Sequence, residues 1–474
     1  MARLAVAACC AICLYFLLVC VVTGHSSVLL RGHDQKTFGS ESSSFRYETS
    51  GDIAQAQELI NQMLAKKAAI ETDNSEVIQT TSKPSKAKLE RLLQANNNNK
   101  PNPSDHHRYS VMDHDNVNVN LVETYSDCTY HLAFTLIDQT SKTNHFTLKL
   151  MNKFSNTLSS ILINLNSTNL DQGALCIHMI TDGSIRPYIN DVIVRVHEDL
   201  VRQSSLYNYN NFHHHHQHGS VTQDSDNTIS RHRPLTKYFF IDTATIESKL
   251  EKLLPTLRTY FTHKPNSYYS NALFFYSMVL HQVIPRQVAD RLILLDVDVQ
   301  LDANLLELFE EFGRFQPTQV MGIAHEQQPV YRHILNEYRH SNENTTAGSP
   351  PPTGFPGYNS GVLLLHLRKM RESFLYNSLL NDVLITHLCR KYRFRGHLGD
   401  QDFYTVAAID YPQLFYTLPC GWNRQLCQWW RFHGYGPVFD DYHRCSESIK
   451  LYHGNCNSVL PTLTSYGEYR RKRR

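Results

Sequence analysis

No stretch of this sequence interleaves basic with aromatic residues as a nucleic-acid surface requires, and the run Arg470 to Arg474 reads as a disordered basic tail, residues 461–474. Lysine plus arginine (46) nearly equals aspartate plus glutamate (44), and the resulting net charge of +2 argues neither way, so no nucleic-acid partner is expected. Zinc-module spacing is also missing. Four of the eleven cysteines, Cys9, Cys10, Cys13 and Cys20, fall in an N-terminal apolar run; the other seven, at 128, 176, 389, 420, 427, 445 and 456, match no such pattern. The histidine run His213 to His216 with His218 lacks carboxylate or cysteine partners at fixed spacing, and is expected to lie in a surface-loop insertion over 203–234. Aromatic residues are few over 26–127, which is rich in Ser, Asn, Gln, Lys and Asp. Such a segment cannot bury enough apolar surface to offset its ordering entropy, so a disordered stem is expected there.

What is present begins with residues 4–22, apolar over the length a bilayer-spanning helix needs and preceded by Arg3. The run is longer than the apolar core of a cleaved signal. It therefore predicts a transmembrane signal anchor over 1–25, with a short cytosolic end and the rest of the chain in the secretory lumen. In that oxidising compartment the four cysteines between 420 and 456 are expected to form two disulfides by one of three pairings, and the odd count leaves at least one thiol free. The sequons at Asn166 and Asn344 become available for glycosylation.

From residue 128 to 460 the pattern is that of one large α/β domain. Strand-like runs at 129–137 and 174–182 flank a helix-like segment near 148–162, and another strand is expected at 237–241. A helix is expected over 270–284, a strand at 292–295, a helix at 305–312, and strands at 320–324 and 362–365. The strand at 292–295 runs into Asp296-Val297-Asp298. Alternation along an extended chain points both carboxylates to one side, at the carboxyl end of a buried strand where open α/β sheets bind ligands. Three constellations follow: Tyr358-Asn359-Ser360-Gly361 between loop and strand, Arg395 to Asp402 before a helix that Asp400 could merely cap, and Tyr452-His453-Gly454-Asn455. Two carboxylates and an imidazole, completed by phosphate oxygens, suit Mn²⁺, with Mg²⁺ as the alternative.

In order and approximate spacing, Asp296-Val297-Asp298, Asn359-Ser360-Gly361, Gly399-Asp400-Gln401 and His453-Gly454 resemble the retaining GT-A transferases of glycosyltransferase family eight, which include glycogenin. The longer matches YRHILNEYRH, GFPGYNSGVLLL, YRFRGHLGDQDF, WNRQLCQWW and YHGNCN resemble the xyloside α-1,3-xylosyltransferases of that family. The resemblance covers roughly residues 128–460. It implies a Rossmann-like mixed sheet flanked by helices, UDP-xylose as donor, and as partner the EGF repeats of Notch-type receptors carrying O-linked xylosyl-glucose. It also implies a single-pass type II protein of the endoplasmic reticulum membrane, with the Golgi as second choice. Asp296, Asp298 and His453 correspond to metal ligands. Thr135, Leu136, Ile137, Val297, Asn359, Ser360, Leu398 and Gln401 correspond to donor contacts, and Asn455 is the expected phosphate contact. Gln401, with Asp400 beside it, occupies the catalytic position on the β-face of the transferred sugar. His333 and Trp430 are expected to meet the acceptor. One departure stands out: glycogenin-like members carry a lysine after the histidine-glycine pair, where this chain has Asn455 and Asn457. Three other readings have distinct signatures. Another family-eight UDP-sugar transferase would differ in donor or acceptor, a nucleotide-sugar hydrolase would need no acceptor platform such as Trp422, Trp429 and Trp430 offer, and a lectin-like scaffold would be free to lose the metal ligands.

Overall fold

The computed structural model describes residues 109–111, 128–138, 144–165, 173–216, 236–264 and 268–462. The expected anchor, most of the stem and residues 463–474 lie outside them, and no helix among the described residues is long and apolar enough to cross a membrane.

Eleven strands are described: β1 (Tyr109–Val111), β2 (Cys128–Thr135), β3 (Ala174–Thr181), β4 (Thr236–Asp242), β5 (Leu292–Leu295), β6 (Val299–Leu301), β7 (Met321–His325), β8 (Tyr358–Leu365), β9 (Phe415–Leu418), β10 (Arg424–Gln425) and β11 (Leu451–His453). Eight form a mixed sheet in the order β1-β4-β3-β2-β5-β8-β7-β9, and a small second sheet runs β10-β11-β6. Neighbours from β4 to β5 are parallel, and β8 enters antiparallel between β5 and β7. Helices cover both faces, so central strands read as continuous apolar runs; every residue of β3 is buried. Alternation still sorts their side chains. Ala133 and Leu292 join the core on one face, while Leu132, Phe134, Ile293 and Leu295 join the core on the other.

Helix α1 (Asn144–Asn164) fixes where the chain goes after β5. The Thr157 hydroxyl lies 2.7 Å from the carbonyls of both Val297 and Val299. Asn164 Nδ2 donates to Leu301 O (3.0 Å), and the Leu301 amide donates to Ser160 Oγ (3.1 Å). Polar groups on a buried helix face thus replace ladder partners that the short β6 lacks on that side. On its other side β6 pairs with β11, setting His453 opposite Val299.

Three local expectations need correction, and the alternative of Asp400 as a helix cap falls away. The segment expected to be a loop from 203 begins as helix, because α2 (Arg186–His216) runs through the histidines; residues 217–235 lie outside the described set. Within the expected stem, Tyr109–Val111 pairs antiparallel with β4, an edge contact made by backbone groups that average composition does not report. The helix expected over 270–284 is a 3₁₀ run, Ala272–Val279, followed by one α turn, Leu280–Val283. Six of the eight 3₁₀ residues are buried, so packing on several sides outweighs helical periodicity. The cap of helix α3 (Asp400–Asp410) is Gly399, at φ 69°, rather than Asp400; a Cβ there would also sit 2.8 Å from the Phe274 backbone oxygen.

Candidate active site

At the carboxyl end of β5 the chain turns sharply, and the Asp296 amide donates to Gly361 O at 2.9 Å. Strand β11 brings His453 to the same point. Its Nε2 lies 3.5 Å from Asp296 Oδ2 and 3.6 Å from Asp298 Oδ1, and the three ligand atoms lie within 4.8 Å of one another. Gly361 makes room for the ring: a Cβ at that position would stand 2.2 Å from His453 Cε1. Asp296 is 57 % exposed and His453 only 4 %, so the trio opens towards solvent through its first carboxylate. Burial opposes charge on His453, but its hydrogen bonds to Asp296 and Asp298 outweigh that and push its pKa up to about 10. Burial likewise works against ionised Asp298, yet His453 and the ammonium of Lys153 hold it well below the usual carboxylate range. Two oxygens and one nitrogen converging on an open point are a donor set that fits a divalent cation. A second cluster, Cys420, Cys445 and Glu447, is no such set because its cysteines are joined in a disulfide.

Behind the imidazole runs a buried polar relay. His453 Nδ1 donates to Asn423 Oδ1 (3.0 Å), which leaves Nε2 as the ring atom facing the carboxylates. Asn423 Nδ2 donates to Asn359 Oδ1 (2.9 Å), and Asn359 Nδ2 donates to Glu326 Oε2 (3.1 Å). The same oxygen accepts from Gln401 Nε2 (3.1 Å), while Gln401 Oε1 accepts from the Ser360 amide (3.2 Å). Glu326 is 3 % exposed, and burial pushes its pKa up to about 7 against the pull of the amide hydrogen bonds. Sequence reading missed both: Glu326 lies in none of the matching motifs, and Asn423, although it falls within WNRQLCQWW, carries no spacing that would give it a role.

The other expected residues are distributed around this frame. Phe134 pairs with Leu295, so Thr135, the last residue of β2, and Leu136 and Ile137 after it follow on beside the Asp296 turn; Leu136 is buried, its amide bonded to Ile180 O (2.8 Å). The Val297 carbonyl accepts from Thr157, as described above. Ser360 Oγ donates to Asp400 Oδ1 (2.9 Å), and the Ser277 hydroxyl donates to Asp400 Oδ2. Burial pushes the Asp400 pKa up to about 7 despite both bonds. The fully buried Asp402 accepts from the Leu398 amide (2.6 Å) and the Tyr331 hydroxyl (3.0 Å), which holds Leu398 ahead of Gln401. Asn455 Oδ1 accepts from the amides of Leu426 (3.0 Å) and Cys427 (2.9 Å), so its carbonyl is engaged with the protein itself. Lys153, a site residue the sequence reading also missed, reaches from α1 to Asp298 Oδ2 (2.9 Å) and Asn457 Oδ1 (3.1 Å). It enters from 145 residues earlier in the chain, and no local motif announces it.

His333 and Trp430 lie against each other. Their ring centroids are 5.3 Å apart, and His333 Nδ1 is hydrogen-bonded to the Tyr435 hydroxyl (2.8 Å). Trp429 is 38 % exposed and stacks on His433 at 3.7 Å, beside the 75 % exposed Phe432. Trp422 is no part of this surface: it is 1 % exposed, and its indole N–H is bonded to Glu311 (3.3 Å). The two disulfides expected among the C-terminal cysteines are Cys420–Cys445 and Cys427–Cys456; a third, Cys128–Cys176, joins β2 to β3, and Cys389 is a buried free thiol.

No protein-family model matches the chain. Over 225 residues it is 49 % identical to xyloside xylosyltransferase 1 of Mus musculus and 48 % identical to that of Homo sapiens, covering 48 % of this chain in each case. The chain spans little more than half the length, 57 %, of these two curated relatives. The crystal structure of mouse xyloside xylosyltransferase 1 in its apo form superposes with a TM-score of 0.57 at 37 % identity, covering 70 % of this chain and 99 % of that one.

Proposed function

Because this chain belongs to the xyloside xylosyltransferase family, we propose that it is a retaining glycosyltransferase that moves xylose from UDP-xylose, in α-1,3 linkage, onto xylosyl-glucose O-linked to EGF repeats of Notch-type receptors. The observation that carries this reading is the junction of the Asp296–Asp298–His453 trio with Gln401 through one buried relay. Such a junction suits a site in which a diphosphate leaves near the trio and a sugar sits over the amide.

A divalent cation, Mn²⁺ or Mg²⁺, bound by the trio would neutralise charge on the departing diphosphate. Lys153 adds a fixed positive charge at the trio's edge, where this chain carries Asn455 and Asn457 in place of the lysine of glycogenin-like members. Thr135 to Ile137, Val297 and Ser360 border the nucleotide side, and Leu398, held by Asp402, borders the sugar. Gln401 is a poor nucleophile, and Asp400 is held by Ser277 and Ser360. These features support transfer on the face from which the diphosphate departs, with a diphosphate oxygen taking the proton of the incoming hydroxyl and no xylosyl-enzyme formed. Gln401 turns its carbonyl towards the developing positive charge of the sugar. His333, Trp430 and the exposed Trp429 and Phe432 form the acceptor side. In this reading residues 1–25 anchor the protein in the endoplasmic reticulum membrane with the transferase in the lumen.

The test is transfer from a panel of UDP-sugars to an EGF repeat carrying xylosyl-glucose, with the product linkage read by NMR. Preference for UDP-xylose with an α-1,3 product supports the reading. Turnover of a different donor, or donor hydrolysis without transfer, overturns it.

A further inference from the structure

We propose that Glu326 is a positioning residue that sets both ends of the site together, fixing which nitrogen of His453 faces the cation and which way the Gln401 amide points. This rests on the function proposed above.

The polarity of the relay follows from what each of its groups can donate. Glu326 Oε2 accepts Asn359 Nδ2 and Gln401 Nε2, 3.1 Å from each. An amide that turns its NH₂ to Glu326 must turn its oxygen away. The Asn359 oxygen therefore meets Asn423 Nδ2, the Asn423 oxygen meets His453 Nδ1, and the ring is left with Nε2 towards Asp296 and Asp298. On the other branch the Gln401 oxygen is left towards Ser360 and the space where the sugar would lie. The directionality originates at Glu326, because the two amides in series on one branch, Asn359 and Asn423, and the single amide of Gln401 on the other carry no polarity of their own. The Gly361 and Ser360 amides favour the same orientation, but each is a neutral donor at 3.2 Å. If the amides flipped, Asn423 would offer N–H groups to His453 Nδ1, and the proton would move to Nε2, where it blocks a metal.

The Gln328 side chain allows the proposal to be separated from simple space filling. Its Oε1 is buried without a hydrogen-bond partner, and its Nε2 lies 3.4 Å from Glu326 Oε1. A glutamine at 326 can place its oxygen where Oε2 now sits and, once the Gln328 amide flips to turn its unpaired Oε1 inward, its NH₂ against that oxygen. Methionine fills similar space without an acceptor. The experiment measures Mn²⁺ affinity calorimetrically in the whole protein without sugar nucleotide, and separately kcat and KM for UDP-xylose. E326M should lose at least tenfold in Mn²⁺ affinity, within the range for groups that orient metal ligands from behind, and should lower kcat more than it raises KM. E326Q should recover most of the affinity. If E326M does not fold, Asn423→Leu, which cuts the relay one step from the ring, should show the same loss. Wild-type affinity in E326M or N423L, or equal losses in E326M and E326Q, would overturn the role of Glu326 while leaving the function standing. A wild-type protein that binds no Mn²⁺ would overturn the function and this role with it.

Discussion

At the scale of single residues, Gly361 shows how a position can serve a site without carrying any chemistry. Its missing Cβ is where the His453 ring lies, so Gly361→Ala must push the ring off the line to Asp296 and Asp298. We expect G361A to cost about 2 kcal/mol of stability from overpacking and to lose Mn²⁺ binding out of proportion, by calorimetry on folded protein. Lys153 makes the complementary case. Asp296 and Asp298 balance one divalent cation, so the charge of a bound diphosphate needs a further positive group, and Lys153 is the lysine or arginine ion-paired with the trio among the described residues. Lys153→Ala should remove one charge-assisted contact of about 2 kcal/mol, roughly thirtyfold in the Kd for UDP with Mn²⁺ present. Binding of uridine, which has no phosphate, should be unchanged; equal loss for both ligands would mean that the lysine only shapes the pocket.

At the scale of elements, β11 and the short 3₁₀ turn Asn455–Asn457 after it are held by their surroundings more than by their own length. Three residues of β11 pair with β6 and two with β10, and Cys427–Cys456 closes a loop of 29 residues on the far side of Gly454. A loop of that size contributes about 3 to 4 kcal/mol in the chain-entropy view. Replacing both Cys427 and Cys456 by serine should therefore lower the melting temperature. Because Asn455 is bonded to the amides of Leu426 and Cys427, donor affinity should fall with it. The segment carrying Trp429, Trp430 and Phe432 meets the 330–334 helix through His333 and Tyr435, joining two elements about a hundred residues apart. Trp430→Ala should raise the acceptor KM several-fold and leave donor hydrolysis nearly unchanged. An equal loss in acceptor use and in donor hydrolysis would place the indole's main role in packing the core it already touches.

At the scale of the whole molecule, buried ionisable groups set an unusual pH response. His131, His281, His325, His366, His397 and His443 have pKa values pushed down to about 4 by burial, and His178 is also held well below its usual value. The unfolded chain binds protons at these seven positions between about pH 4 and 6.5 where the native protein does not, so they make stability rise with pH over that window. Glu326, Asp400 and Asp402, pushed up to about 7, act in the opposite sense, but they are three against seven. Above pH 6.5 the histidines no longer contribute. The three carboxyls and the metal-free His453, raised to about 10, then make stability fall as pH rises. Thermal melts of metal-free protein should pass through a maximum near pH 6.5, and adding Mn²⁺ should flatten the alkaline side. A steady rise through pH 8 without metal would show that these burial effects do not govern stability.

Much of this was determined by the sequence alone. The strand-helix-strand order, the convergence of Asp296 and Asp298, the family motifs and the presence of two C-terminal disulfides are local or periodic features, and periodicity survives in one dimension. Tertiary structure decided what depends on contacts between distant segments: that α1 sends Lys153 to Asp298, that Gly361 vacates space for His453, that Trp422 belongs to the core while Trp429 does not, and which cysteines pair. The relay through Glu326 and Asn423 is the clearest instance. Hydrogen-bond polarity passes between side chains brought together from four separate strands and loops and the start of a helix, and it leaves no spacing in the chain by which it could be read.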